Sequence, residues 1–398
     1  MDHARNSPLG AGLTRDSDGA SIQHLYAHIP FCPVKCDYCA FVTHIGSDKL
    51  IERYVAAVQS EAIRHVAAGH LGPLETIYLG GGTPSMLTPL QVSDLLSAFR
   101  TCFGSAPSAE VTIEAHPHTI DANKLIGYLK AGVNRISFGI ESLVPEELGA
   151  LGRFEADKFP AAALSEARRA GFVNIAADLM YGIPLQTSDS WARTLQQLLE
   201  FEPDHLSLYP LSIEPKTVFE RRRQRHGLVL PDDDHVVEMY EIACEVLSLA
   251  GYQHYEVGSW CRDGRQSRHN VAYWHNREYF GLGVGAHGYV RGERTVNVRQ
   301  TMRYIRRLEA GDDPIEESEA IDSDTRRVET IMLRLRLLSE GLEIDHVKQD
   351  HHWDMRQRCQ EELRVLSNAG LISVERGRIF LLESAVPVAN DVWERLAV

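Results

Sequence analysis

The sequence predicts an α/β fold with a largely parallel sheet, because six short apolar strands alternate with helical stretches. The predicted strands cover residues 25–29, 76–79, 111–114, 135–138, 174–179 and 205–208. Apolar residues between Leu50 and Val66 recur at helical spacing, which marks one buried helix face. This alternation favours right-handed crossovers in a sheet that is either doubly wound or an incomplete barrel.

The boundaries of these elements carry the usual signals. Gly132 and Gly171 each follow a helical stretch and precede a strand, as left-handed helix caps do. Pro203 and Pro210 flank the sixth strand. A second segment, residues 213–321, contains a predicted helix (235–250), a strand (254–257) and a glycine-rich stretch (281–288).

From residue 322 the pattern changes to helices followed by a hairpin. The predicted elements are helices 326–338, 343–349 and 355–369 and strands 371–375 and 378–382. This order resembles a winged helix, a fold that often binds DNA, although a fold does not determine a function. The predicted organisation is a loose tail (1–24), the alternating domain (25–212), its extension (213–321) and a winged-helix-like domain (322–398).

Composition restricts the function. The chain has 398 residues, with 55 acidic and 41 basic side chains and a net charge of -14, so nucleic acid is a poor default partner. No apolar run approaches the roughly 20 residues that span a bilayer. The first 21 residues are polar and lack the apolar core of a secretory signal, which predicts a cytoplasmic protein.

Three of the seven cysteines, Cys32, Cys36 and Cys39, share one short loop with C-x3-C-x2-C spacing. Three thiolates on such a loop can hold three corners of a [4Fe-4S] cluster. The fourth iron can then take the amine and carboxylate of S-adenosylmethionine (SAM). Zinc is the alternative, and it needs a fourth ligand such as His28 or His44.

Other distinctive residues also follow predicted strands, where ligands of parallel sheets bind. A glycine run, residues 80–84, follows the second strand and would allow a ligand to approach the backbone. Glu114, Glu141, Arg153 and Asp178 lie at or beyond later strand ends. Each alone could form a surface salt bridge, but together they suit the polar groups of a nucleoside ligand.

The stretch 269–274 combines His269 with an amide and two aromatic side chains. Haem often takes an axial histidine, but a single histidine more often forms structural hydrogen bonds, so the residue types leave both roles open. The glycines of 281–288 lack the strand–turn–helix context of a dinucleotide site, which excludes an NAD site there.

These motifs resemble the radical-SAM proteins related to oxygen-independent coproporphyrinogen III oxidase, and among them the haem chaperone branch. The stretches that carry the resemblance are 26–39, 80–84, 134–139, 178–184, 269–274 and 283–287. The resemblance implies a partial (β/α)6 barrel, a cluster-bound SAM and a C-terminal domain.

The resemblance also implies roles for residues. The SAM contacts implied by motif position are Tyr26, Gly81, Gly82, Thr83, Glu114, Arg153 and Asp178. Tyr38 and Glu141 are further candidate cofactor-binding residues. His269 becomes the candidate haem contact. Phe41 stands where the oxidases have a further cysteine, which argues against the oxidase reaction, and Glu141 stands where the family usually has glutamine.

Three hypotheses follow. The first is a haem chaperone that delivers haem to apo-haemoproteins; it is compatible with a homodimer and with peripheral membrane contact through recipient proteins. The second is an enzyme in which the reduced cluster cleaves SAM to a 5′-deoxyadenosyl radical that acts on a porphyrinogen or a methylation substrate. The third is a zinc-stabilised regulatory module.

Overall fold

The computed structural model describes residues 22–67, 73–153 and 160–397. Most of the predicted N-terminal tail, residues 1–21, lies outside the described residues. Within them, all six predicted strands are confirmed, some with longer bounds than the apolar runs. The strands are β1 (His24–Ile29), β2 (Leu74–Gly81), β3 (Ser105–Ala115), β4 (Arg135–Glu141), β5 (Ile175–Tyr181) and β6 (His205–Pro210).

Helices connect these strands. They are α1 (Asp48–Ala67), α2 (Pro89–Phe103), α3 (Ala122–Ala131), α4 (Pro145–Ala150), α5 (Ala162–Ala170) and α6 (Ser188–Leu199). Their ends follow the predicted chemistry, since Asp121 caps the first turn of α3 and Gly132 ends that helix in the left-handed conformation. Gly171 ends α5 in the same way.

Strand order decides between the two predicted sheets. β1 to β6 are parallel and lie side by side in chain order, so the sheet has no point at which the winding reverses. This is the order of an incomplete (β/α)6 barrel and not of a doubly wound sheet. Ligands are therefore expected at the carboxyl ends of these strands.

The segment after β6 extends the sheet at both edges. Its elements are α7 (Val218–Gln224), α8 (Asp233–Leu249), β7 (Gln253–Glu256), β8 (Ser259–Cys261), α9 (Arg268–Trp274) and β9 (Phe280–Leu282). β8 pairs antiparallel with β6, and β9 pairs parallel with β1. The predicted helix and strand of this segment correspond to α8 and β7, whereas β9 was not predicted because three residues among glycines give no strand signal.

A small antiparallel sheet was also not predicted. It contains β10 (His287–Val290), β11 (Glu293–Asn297) and, after α10 (Thr301–Glu309), β12 (Ile315–Ala320). The outer strand β12 is almost entirely exposed and carries three glutamates. It therefore lacks the alternation of apolar and polar residues by which a half-buried strand is detected.

The C-terminal unit is winged-helix-like, as predicted. It comprises α11 (Ser323–Arg334), β13 (Leu342–Glu343), α12 (Ile344–His351), α13 (Met355–Arg358), α14 (Gln360–Asn368), β14 (Ile372–Glu375), β15 (Arg378–Leu381) and α15 (Ala389–Leu396). Its three short strands pair in the order β13-β15-β14. The predicted helix 355–369 is wrong as one element, because the backbone leaves helical geometry at Cys359 (φ -110°).

The barrel and the C-terminal unit have separate apolar cores. The predicted domain boundaries at residues 212 and 321 remain proposals. Among the described residues, no helix is both long enough and apolar enough to cross a membrane.

Candidate cofactor site at the carboxyl end of the sheet

The three clustered cysteines lie on the loop between β1 and α1, and all three are partly accessible. Backbone bonds hold this loop: the Cys32 N–H donates to the His44 carbonyl at 3.1 Å, and the Cys39 N–H donates to the Cys36 carbonyl at 3.2 Å. A further N–H, from Asp37, donates to the carbonyl of Leu151 at 3.1 Å. The loop is therefore fixed both to itself and to the end of α4.

Burial affects the ionisation of the three thiols on this loop. Burial raises the pKa of all three thiols, for Cys36 to about 12, so they would stay protonated at neutral pH without a cation to stabilise the thiolates. Three cysteines on one loop are the ligand type of a [4Fe-4S] cluster with one iron left open to another ligand.

The glycine run packs directly on this loop. The N–H of Gly82 donates to the Ile29 carbonyl and that of Thr83 to the Phe31 carbonyl, both at 2.8 Å. A side chain on Gly82 would place its Cβ only 3.0 Å from the sulfur of Cys32. Gly81 has φ +113°, which favours glycine. The absence of side chains thus lets the end of β2 approach the cysteines.

Thr83 joins the two segments chemically. Its hydroxyl donates to the Cys32 sulfur at 3.4 Å, and the side chain is almost fully buried. This hydrogen bond favours the thiolate form of Cys32, although burial raises the thiol pKa overall. Thr83 is the predicted site residue with the most direct contact to a predicted metal ligand.

Glu114 and Asp178 bring two carboxyl groups to the same part of the sheet. Glu114 accepts hydrogen bonds from the Tyr78 hydroxyl and from the Gly81 N–H, both at 2.9 Å. Burial, assisted by the nearby carboxylate of Asp178, raises the pKa of Glu114 to about 7. Asp178 accepts a hydrogen bond from Ser137 at 3.1 Å, and burial raises its pKa as well.

Glu141 and Arg153 form a buried ion pair at 2.8 Å. Arg153 also donates to the Gly139 carbonyl at 2.9 Å and contacts His116. Glu141 has φ 63° beside a register shift between β4 and β5, an unusual backbone for a residue other than glycine. The Tyr38 hydroxyl donates to Glu141. These contacts connect the cysteine loop to the end of β4.

Tyr26 lies on β1, next to the same strand ends. Its hydroxyl forms a 3.0 Å hydrogen bond with the Nδ1 of His28, and its ring stacks on Tyr78 with centroids 6.2 Å apart. Because Tyr78 bonds Glu114, the tyrosines link β1 to β3 across β2. The structure thus brings the predicted cluster and SAM residues together at one edge of the sheet.

His269 lies nearer the amino end of β2 than these residues, with its ring 5.1 Å from that of Tyr78. It lies on α9, is 1% exposed, and its Nδ1 is 2.7 Å from the Thr76 hydroxyl and its Nε2 3.0 Å from that of Tyr273. Thr76 precedes Gly81 by five strand residues, or about 16 Å along β2. Burial lowers the pKa of His269 to about 3, so the ring is neutral. In this geometry both ring nitrogens are engaged, and the haem contact stays a prediction.

Sequence reasoning missed a residue that supports the site. Arg135 is a buried cation on β4, with Glu110 and Asp178 as the nearby negative charges. A buried arginine within an apolar strand was the available signal.

Four arginines at 221, 222, 223 and 225 could have formed a solvated helix end or an anion contact. In the structure one of them, Arg222 on α7, pairs with Asp37 of the cysteine loop at 2.9 Å and so helps to hold this loop.

Known proteins share both the sequence and the fold. Residues 26–198 match the model of the Radical SAM superfamily. The chain is 33% identical to the heme chaperone HemW of Bacillus subtilis over 369 residues, which cover 92% of this chain and 97% of that protein. The chain belongs to the HemW family of radical SAM proteins. It is also 36% identical to HemW of Escherichia coli, covering 81% of this chain and 85% of the relative.

The HemW assignment agrees with the fold. The structure of coproporphyrinogen III oxidase (HemN) from Escherichia coli superposes with a TM-score of 0.81 at 23% identity, covering 95% of this chain and 91% of that one. At this identity the likeness shows the fold alone. The Radical SAM superfamily implies a [4Fe-4S] cluster and SAM. Three partly accessible thiols beside the partly accessible Gly81 and Gly82 fit both groups.

Proposed function

We propose that this protein is a haem chaperone, which binds haem together with a SAM-ligated [4Fe-4S] cluster and delivers haem to apo-haemoproteins. The observation that carries the proposal is identity to heme chaperones named HemW along nearly their whole length. Phe41 adds support: it is 66% exposed at the position where the resemblance to the oxidases would require a further cysteine. The oxidase-specific thiol is thus replaced by an apolar side chain.

In the proposal, the cluster is held by Cys32, Cys36 and Cys39, and the Thr83 hydroxyl donates to the sulfur of Cys32. The backbone at Gly81 and Gly82 receives SAM, together with Tyr26, Tyr38, Glu114, Glu141, Arg153 and Asp178. When bound and reduced, the cluster supplies the electron that cleaves SAM in radical SAM chemistry. The chain's own residues position the ligand: Glu114 and Asp178 offer acceptors, and Arg153 offers a cation already oriented by Glu141.

The proposed haem contact is His269, carried by the resemblance of 269–274. Haem ligation would require His269 to give up its hydrogen bond to Tyr273. That bond, from Nε2, is the longer of its two side-chain hydrogen bonds, at 3.0 Å against 2.7 Å between Nδ1 and Thr76. His287 provides a matched comparison, because it belongs to the other family-like stretch and is exposed. A histidine ligand at either position is distinguishable by mutation.

The test is haem titration of the anaerobically reconstituted protein, followed by transfer to an apo-haemoprotein. We expect a shifted Soret band, its loss in His269→Ala with the cluster intact, and normal binding in His287→Ala. If His287→Ala abolishes the shift and His269→Ala does not, the contact moves to β10. If the cluster-loaded protein shows neither a Soret shift nor transfer, the chaperone function is wrong.

The second candidate is a radical SAM enzyme, and the acidic and glycine residues gathered at the strand ends favour it. This function would generate 5′-deoxyadenosine in proportion to a consumed substrate, porphyrinogen or methyl acceptor. A SAM-cleavage assay on the same sample separates the two functions. Formation of 5′-deoxyadenosine that rises with added substrate supports the enzyme; cleavage that is unaffected by each candidate substrate argues for the chaperone.

The zinc-stabilised module has the least support, because the chain belongs to a radical SAM family. Iron and sulfide analysis of anaerobically purified protein tests it.

A homodimer, a cytoplasmic location and membrane contact through recipient proteins are further parts of the proposal. Mass measurement with and without haem tests the dimer.

A further inference from the structure

A second cluster of metal-binding side chains lies far along the chain from the cysteine loop. Cys244 is on α8, His254 is on the edge strand β7, and Glu383 follows β15 in the C-terminal unit. One ligand atom from each lies within 4.8 Å of the other two. The three residues therefore meet at the seam between the barrel and the winged-helix-like unit.

The geometry points to a binding site for one divalent transition-metal ion, and we propose that Cys244, His254 and Glu383 bind zinc or an ion of similar softness. The set offers one sulfur, one imidazole nitrogen and one carboxylate oxygen, all of which zinc accepts. A bound thiolate and carboxylate would neutralise the two charges of the ion. The fourth position would be open to water.

The hydrogen bonds of His254 support a cation. Its Nδ1 lies 2.7 Å from a carboxylate oxygen of Glu383, and its Nε2 lies 3.4 Å from the carbonyl oxygen of Val257. Both neighbours are acceptors, whereas a neutral imidazole has one N–H. If Nε2 donates to Val257, then Nδ1 needs either a proton or a metal ion. A backbone carbonyl on the far nitrogen is the usual orienting partner of a metal-bound histidine.

The surroundings hold the histidine in place and leave the carboxylate open to solvent. The His254 ring stacks on the buried Trp260 with centroids 3.8 Å apart and planes 11° apart, and its side chain is 9% exposed. The Glu383 side chain is 53% exposed, while its backbone carbonyl accepts from the Tyr240 hydroxyl at 3.1 Å. Small movements of the carboxylate could therefore complete the shorter distances of a metal site.

A metal ion at this site would connect two parts of the chain, because its ligands come from two units with separate apolar cores. Two ligands belong to the barrel and its extension, and the third belongs to the C-terminal unit. A bound ion would add a direct link across the seam. This proposal does not depend on haem or SAM binding, so it can fail or hold independently of the proposed function.

The test uses the full chain with its iron–sulfur cluster already loaded, so that the cysteine loop is occupied. Zn²⁺ is added, loosely bound metal is removed with a chelator, and zinc is counted and examined by zinc-edge X-ray absorption. We expect one retained zinc per chain with one sulfur neighbour at roughly 2.3 Å and lighter neighbours at roughly 2.0–2.2 Å. Iron content should not change.

Cys244→Ser should remove the sulfur neighbour, and Glu383→Gln should weaken zinc binding about ten-fold or more. Cys102→Ser is the matched control, because Cys102 is another partly accessible helical cysteine outside the site. The Glu383 variant changes an exposed side chain and tests the site even if Cys244→Ser fails to fold. The proposal would be overturned if no zinc were retained or if the zinc had several sulfur neighbours. It would also be overturned if Cys244→Ser and Glu383→Gln both bound zinc as wild type does.

Discussion

At the scale of single residues, Thr83 is where the glycine strand end and the cysteine loop meet. Its hydroxyl donates a hydrogen bond to the sulfur of Cys32 at 3.4 Å. Hydrogen bonds to cluster sulfurs withdraw electron density and so raise the reduction potential. In the proposed cluster site, the Thr83 hydroxyl would therefore raise the reduction potential of the cluster.

Thr83→Val tests this role, because valine keeps the shape and removes the hydroxyl. We expect the cluster to assemble but its reduction potential to become more negative by roughly tens of millivolts. A redox titration followed by electron paramagnetic resonance measures the shift. Thr101→Val, on the exposed side of α2, is the control. Equal potentials in Thr83→Val and wild type would show that the hydroxyl has no influence on the cluster.

At the scale of elements, one buried carboxyl attaches α1 to the loop between β9 and β10. Glu61, 3% exposed, accepts hydrogen bonds from the Gly283 N–H at 2.8 Å, from the Asn297 amide at 2.5 Å and from the Tyr304 hydroxyl at 2.5 Å. These bonds hold the stretch 283–287, which carries part of the family resemblance, next to β1. Burial raises the pKa of Glu61 to about 7 despite these donors.

Replacing Glu61 should have two measurable effects on the free energy of unfolding. Glu61→Ala leaves up to three buried donors unpaired and should cost about 2–4 kcal/mol. The raised pKa means that the folded state holds a proton that the unfolded state releases near pH 4.5. This contribution to stability is fully present below pH 4.5 and is lost as pH rises through about 7.

Urea unfolding of wild type and Glu61→Gln at several pH values measures the second effect. The free energy of unfolding of wild type, relative to that of Glu61→Gln, should fall as pH rises from 4.5 to about 7. Glu52→Ala, exposed on the same helix, should leave stability unchanged. A wild-type and Glu61→Gln difference that is constant with pH would contradict the raised pKa.

At the scale of the whole molecule, Arg336 connects the C-terminal unit to the barrel extension. Its guanidinium lies 4.3 Å from the ring centre of Trp274 on α9 and 5.4 Å from that of Trp393 on α15. Its backbone carbonyl accepts the Val257 N–H at 3.0 Å. One residue thus joins the end of α9, which carries His269, to the last helix of the chain.

Arg336→Ala should weaken this junction by about 1–3 kcal/mol, since two cation–π contacts and the packing of the aliphatic stem are lost. We expect a lower melting temperature and faster proteolysis between the barrel and the C-terminal unit. Arg358→Ala, exposed on α13, is the control. An unchanged melting temperature and unchanged proteolysis in Arg336→Ala would show that other contacts hold the two units together.

Whether the sequence could predict a feature depended on how local its signal was. Buried strands such as β1 and β5 are recognisable because their apolar runs are bounded by glycine, proline and polar residues. The exposed strand β12 and the three-residue β9 are not, since their pairing partners lie far away in the chain. The break at Cys359 was not predicted, because the residues on both sides of it continue one helical pattern.

The sequence by itself determined the alternating α/β order, the three-cysteine loop and the strand ends at which its candidate ligands gather, because these depend on short-range periodicity and spacing. Only the tertiary structure decided that the sheet is an incomplete barrel, since strand order is a matter of long-range pairing. It also decided that His269 is buried with both ring nitrogens engaged, and that Cys244, His254 and Glu383 meet. Contacts between residues so distant along the chain leave no local pattern.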